Sequence, residues 1–247
     1  MVRYNWENLI DGKIPSNCTI LYCNNCKLNE LPEFPQKLIY LDCSDNKLSY
    51  LPELPQILIK LYCSENKLNV LPELPQTLEI LNCGNNKLNK LPKLPQTLNY
   101  LYCNNNNLNE LPKLPQTLKY LHCNMNNLSY LLELPPSLKI LYCDHNKLNE
   151  LSELPQTLEE LDCSNNNLNE LPELPQTLIN LWCVFNKLNE LPELPQTLIK
   201  LCCFNNNIKY LSRHNCSIIK KLEFVKVLYN PFSANFTDND EFISSLE

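Results

Sequence analysis

Apolar residues fall along this chain at a fixed phase. The stretch Leu78 to Thr97 reads LEILNCGNNKLNKLPKLPQT, with leucine or cysteine at its first, fourth, sixth, eleventh, fourteenth and seventeenth places. The wording returns every twenty residues, and cysteine stands at 23, 43, 63, 83, 103, 123, 143, 163, 183 and 203. The template is LxxLxCxxNxLxxLPxLPxx. Self-similarity at a fixed period of this length is the mark of a repeat architecture. Apolar and polar residues alternate around the second leucine of each unit, which predicts short strands at 40–42, 60–62, 80–82 and onward. On the return side the Pro-x-Leu-Pro run holds φ near about −65° and withholds two backbone donors, so it predicts an extended, polyproline-like path rather than a helix.

The pattern also says what each unit lacks. Leu38, Leu41, Cys43, Leu48, Leu51 and Leu54 turn inward and form an apolar wedge that one unit cannot bury. A fully buried leucine contributes about 1.5–3 kcal/mol, so the wedge offsets its ordering cost only when neighbours cover both sides. Asn46, Asn66, Asn86, Asn106, Asn126, Asn146, Asn166, Asn186 and Asn206 form a column where the chain leaves its strand. An amide there can bond backbone groups of its own turn and the adjacent one. The first unit has Cys26 in that slot.

LxxLxLxxNxL is the signature of leucine-rich repeats, here with cysteine in the third apolar slot. Over residues 14–232 the chain resembles that family, in particular the short twenty-residue class of secreted bacterial effectors and of giant amoebal virus proteins. The resemblance implies a solenoid, a horseshoe or arc, with a parallel β-sheet on the concave face, an extended convex side and short helical caps. The bias toward Asn, Lys, Ile and Tyr suggests a gene of low GC content and leans the expected origin toward the viral proteins. Bacterial effectors of similar repeat type can carry a ubiquitin ligase domain with a Cys-x-Asp motif after the repeats. In this chain residues 212–247 follow the last proline-type repeat, and its Cys-x-Asp, Cys43-Ser44-Asp45, lies inside a repeat with the thiol turned inward, so the ligase does not carry over.

Deviations mark the ends. Residues 1–13 read as an N-terminal cap in which Trp6, Leu9 and Ile10 recur at helical spacing. Residues 14–232 hold about eleven units, ten of period 20 and a last degenerate one. Leu222 to Phe232 restates the signature without a cysteine, and the proline-free Ser217 to Leu222 fits a helical return. Residues 233–247 form the C-terminal cap, with Thr237 and Asp240 as a capping box. The copies leave no boundary, so one domain is expected.

Composition narrows the chemistry. Two glycines among 247 residues, Gly12 and Gly84, exclude nucleotide-binding loops, dinucleotide fingerprints and nucleophile elbows. A net charge of −6 argues against nucleic acid as a partner. No apolar run approaches the roughly 20 residues of a membrane span, and the first residues lack a signal-peptide pattern, so the expected location is intracellular and cytoplasmic, in the host if the origin is viral. Fourteen cysteines at a repeat period read as buried thiols rather than a disulfide framework, because equivalent parallel strands point their Cβ atoms the same way. Cys18, Cys23 and Cys26 include one CxxC pair with no second pair, which is a poor zinc site. Cys202, on the strand face beside Cys203, is the better candidate for a reactive thiol, though an accident of surface placement explains it more simply. No cofactor and no metal is expected, and His122, His145 and His214 bear no regular relation to a nucleophile, so an enzyme is not expected.

The two strand slots that face outward carry the remaining signal. Tyr100, Tyr102, Tyr120, His122 and Tyr142 form a central aromatic patch, and Trp182, Val184, Phe185 and Phe204 form a second one near the end. Tyrosine and tryptophan anchor protein interfaces, yet aromatics are also good strand formers. Glu33, Glu53, Glu73 and their counterparts line the return side, and Lys27, Lys47, Lys67 and theirs line the turn, as a solvated surface would. The sequence thus describes a non-enzymatic repeat protein that binds a protein partner of unknown identity on its concave face. The alternatives are an adaptor or substrate receptor docking through its terminal segments, and a structural particle protein.

Overall fold

The computed structural model describes residues 1–9, 13–236 and 238–246. They form two compact units, Met1–Asn127 and Leu128–Glu247. The first carries β1 (Arg3–Asn5), β2 (Ile20–Tyr22), β3 (Tyr40–Asp42), β4 (Lys60–Tyr62), β5 (Ile80–Asn82), β6 (Tyr100–Tyr102) and β7 (Tyr120–His122). The second carries β8 (Ile140–Tyr142), β9 (Glu160–Asp162), β10 (Asn180–Trp182), β11 (Lys200–Cys202), α1 (Arg213–Ile219), β12 (Phe224–Lys226) and α2 (Asn239–Ser245). Within each unit successive strands pair in parallel, and between β2 and β7 and between β8 and β11 a residue faces its equivalent twenty positions on, as Leu81 faces Leu101 and Leu161 faces Leu181. The repeat solenoid and its three-residue strands are those the sequence predicts.

The wedge is buried as expected. Leu38, Leu41, Cys43 and Leu48 are fully covered, and so are their counterparts through most repeats. The returns are extended, and each ends in a turn in which the second proline's carbonyl accepts from the leucine three residues on, as in Leu58 N to Pro55 O at 3.0 Å. Each asparagine of the column ties two repeats together. The Asn106 amide donates to the carbonyls of Cys83, Cys103 and Asn104 at 3.1–3.2 Å, and its oxygen accepts from Leu88 N at 2.9 Å. Asn230 continues the column twenty-four residues after Asn206, donating to Cys203 O at 2.9 Å.

A second set of ties, absent from the sequence reading, lies at the opposite corner. The Thr97 hydroxyl donates to Gln76 O and Leu78 O of the preceding repeat, both at 2.8 Å, and Thr77, Thr117, Thr157, Thr177 and Thr197 repeat the pattern. One repeat pair is mated more closely. A Cβ on Gly84 would lie 2.7 Å from the Asn104 side-chain oxygen, so any larger residue there would have to turn that amide aside.

The caps depart from expectation in detail. At the start a strand forms, β1, paired with β2, and the helical spacing of Trp6 and Leu9 yields one 3-10 turn at Trp6–Asn8. Ile10 lies outside the described residues. The Thr19 hydroxyl clamps this strand, accepting from Val2 N at 2.7 Å and donating to Val2 O at 3.0 Å. At the other end the return helix begins earlier than the proline pattern suggested, at Arg213, because Ser212 caps it by accepting from Asn215 N. Buried Asn215 fastens α1 to the last proline return, donating to Pro192 O and accepting from Leu194 N, both at 3.0 Å. Thr237 lies outside the described residues, and α2 is capped by Asp238, which accepts from Glu241 N at 2.7 Å.

All fourteen cysteines are free thiols, twelve of them buried and Cys26 and Cys216 partly so. Burial raises the thiols of the column, Cys83 up to about 12. The candidate reactive thiol is corrected here: Cys202 is 5% exposed between Trp182 and Lys226, and burial, against the pull of Lys226, pushes it up to about 11. A buried thiol with a raised pKa is a poor nucleophile.

Two outcomes follow from this packing. A native chain will titrate rapidly at Cys26 and Cys216 and at few other thiols, whereas denaturation will release all fourteen; equal counts in both states would contradict the buried column. Asn106→Ala will lower stability by about 2 kcal/mol or more in urea unfolding, because it strands buried backbone groups of two repeats, while exposed Asn107→Ala will change it by less than about 0.5 kcal/mol.

Candidate functional site

A three-residue strand buries its middle side chain and sends the flanking two to the opposite face. From β3 to β10 the middle leucine is buried and both neighbours are half-buried. The parallel register then lines these outward residues into two rows along each unit.

In the first unit the rows bring together four of the predicted residues. Tyr100 and Tyr120 stack with centroids 4.6 Å apart and planes 12° from parallel, and Tyr102 meets His122 edge to face at 4.7 Å. Tyr142 belongs to the second unit. The structure adds a cluster that column-by-column reading missed. Tyr40 sits between Tyr22, at 5.1 Å, and Tyr62, at 5.6 Å, and Arg3 of the cap lies over the Tyr22 ring at 5.5 Å. These tyrosines alternate between the two rows, so they touch across diagonals, a contact that aromatic rings can span but that neither row alone displays. Burial, with Asp42 and the neighbouring phenols, lifts the Tyr40 hydroxyl well above the ordinary range.

In the second unit the face turns acidic and then basic. The Tyr142 hydroxyl donates to Glu160 at 2.6 Å, and the Asn180 amide donates to the other Glu160 oxygen at 3.2 Å. Asp162 accepts from Ser164 N at 3.0 Å, and burial, opposed by that bonding, holds its carboxyl above its usual range. Trp182 stands in register between Asp162 and Cys202, half-buried. Lys200 and Phe224, then Cys202 and Lys226, complete the rows.

The turn after each strand supplies the rest of the second patch. The residue before each column asparagine has positive φ, including Asp45, Asn85, Met125, His145, Asn165 and Phe185. Asparagine adopts this left-handed conformation at lower cost than bulky residues do. Phe185 adopts it at φ 52°, remains 50% exposed, and meets Phe204 edge to face at 5.4 Å. Val184 is half-buried and its carbonyl accepts from Asn165 N. The pair thus comes together, with Trp182 on the strand face beside them in sequence. A shallow pocket continues from Phe204 along Lys226, Leu228, Tyr229, Asp238 and Asn239. Among the described residues no group of three or more His, Cys, Asp and Glu side chains could hold a metal ion, and no helix is long and apolar enough to cross a membrane.

No protein-family model matches the sequence, and none of the curated proteins compared with it matches. Solved structures do. YopM from Yersinia enterocolitica WA-314 is 37% identical, with a TM-score of 0.86, over 92% of this chain and 50% of its own, so the present chain spans half that protein's length. YopM from Yersinia pestis, described as a leucine-rich effector protein, is 31% identical over 93% of this chain and 82% of its own, at a TM-score of 0.53. A Shigella effector repeat domain is 35% identical over 61% of this chain and 70% of its own, at 0.52. Repeat period, strand register and these likenesses agree, and the chain belongs to the leucine-rich-repeat proteins.

Proposed function

We propose that this chain is a non-enzymatic binding protein that engages a protein partner through its strand face and the adjoining turn. Phe185 carries the reading. Its backbone conformation costs a bulky residue about 1–3 kcal/mol, which asparagine largely avoids, and half of its surface stays in water where the core gains nothing from it. A residue that neither turn nor core favours is explained by contact with something outside the chain. The tyrosine rows of the first unit supply the same kind of rigid, amphipathic contact area, with little conformational entropy left to lose on binding. The relatives described as effectors support a partner of host origin and an intracellular site of action.

The test pairs a binding measurement with a stability measurement. A partner recovered with the intact chain is purified, and its affinity is measured for wild type and for Trp182→Ala combined with Phe185→Ser. The double variant will melt within a few degrees of wild type and bind more weakly, by about 2 kcal/mol or more if Trp182 is an anchor. Unfolding of the variant would make these residues part of the core. Wild-type affinity for every recovered partner would remove the patch from the interface.

A further inference from the structure

The second unit's face holds two carboxylates that are hydrogen-bonded but form no ion pair among the described residues. Glu160 and Asp162 occupy the two outward slots of β9, with Asn180 and Trp182 beside them in register on β10. Among the described residues neither carboxylate forms an ion pair, although His145 lies near enough to favour the charged form of Asp162. Lys139 pairs with Glu159 and His145 with Asp144, while Lys226 lies over the Phe224 ring. Lys200 is in register with Asn180 and makes no ion pair with either acid.

Two further features stand beside the carboxylates. Asn180 spends its amide hydrogens on Glu160 and leaves its side-chain oxygen shielded from solvent with no donor, one of two such buried side-chain atoms among the described residues. Trp182 has neither an aromatic nor a cationic neighbour among the described ring contacts, whereas Tyr22, Tyr40, Tyr62, Tyr100, Tyr102 and Tyr120 each meet another ring. An apolar partner residue would cover the indole and bury two carboxylates without a counter-charge, a cost of burial without return.

We propose that this corner receives an arginine side chain of the protein partner, an inference that rests on the strand face being the partner surface. A guanidinium is planar, lies flat on an indole, and carries five donors in a fixed fork. Laid over Trp182, it can direct donors to Asp162 while its charge faces Glu160. An ammonium neutralises the acids but neither stacks as a plane nor presents a fixed fork to a carboxylate.

The experiment uses the full chain carrying Trp6→Phe, so that Trp182 is the remaining indole. Acetyl-Gly-Arg-Gly-amide is titrated against its emission, beside the lysine peptide and the neutral citrulline peptide. The arginine peptide will give a saturable change, at least about tenfold tighter than citrulline and tighter than lysine. Added salt will weaken it, and Asp162→Asn with Glu160→Gln will weaken it about tenfold while the thermal melt stays in place. If the double variant does not fold, Asp162→Asn alone is read the same way. Equal binding of citrulline or lysine, no saturation by about 50 mM, or an undiminished response in a folded variant would overturn the assignment. The readout is a peptide rather than the partner. Its failure therefore leaves the Trp182 and Phe185 contact standing, and loss of that contact leaves this result unchanged.

Discussion

One asparagine per turn holds two repeats at once, and the fold depends on it. The chain must leave each strand through a bend whose carbonyls are buried by the next repeat, where water cannot reach them. The amide of Asn106 satisfies three such carbonyls in two repeats, and its oxygen takes an amide hydrogen from the earlier one. No other residue type offers two donors and an acceptor on so short a stem. The wedge of leucines supplies most of the driving force, but apolar burial is non-directional and would tolerate slippage between repeats. The asparagines, with the threonines at the opposite corner, turn a stack of greasy units into one register.

That division of labour explains how much of the molecule could be read from its letters. Period, strand position, inward leucines and the asparagine column are all consequences of repetition, and repetition is visible without coordinates. Thr97 and its equivalents were just as regular in the sequence, but a surface threonine in a polar turn has no signature of its own until the neighbouring carbonyls are placed. The ends are where repetition stops, and there the reading was coarser. Arg3 to Asn5 pairs as a strand because β2 offers an open edge, a tertiary effect that the spacing of Trp6 and Leu9 does not carry. Asn215 lies before the stretch expected to be helical and proved to be a buried tether to Pro192 and Leu194.

The face was legible in identity and less so in arrangement. Rows of equivalent positions picked out Tyr100 with Tyr120, a pair that does meet; Phe185 and Phe204, grouped from neighbouring slots of the turn, also meet. The cluster of Tyr22, Tyr40 and Tyr62 escaped because its contacts run diagonally between rows. Cys202 was misplaced for a related reason. Alternation sends it outward, yet Trp182 and Lys226 on the flanking strands close over it, and a short side chain between two long ones is buried even on an open face.

Gly84 bears on how such a chain can change. Tandem repeats grow and shrink by duplication and loss of whole units, and identical units can be exchanged without cost. The unit holding Gly84 differs from the others at one junction, because the carboxamide of Asn104 in the next unit occupies the space where another residue would carry a Cβ. A recombination that set a serine-bearing copy beneath Asn104 would have to turn that carboxamide aside, a local cost at one junction of an otherwise permissive array.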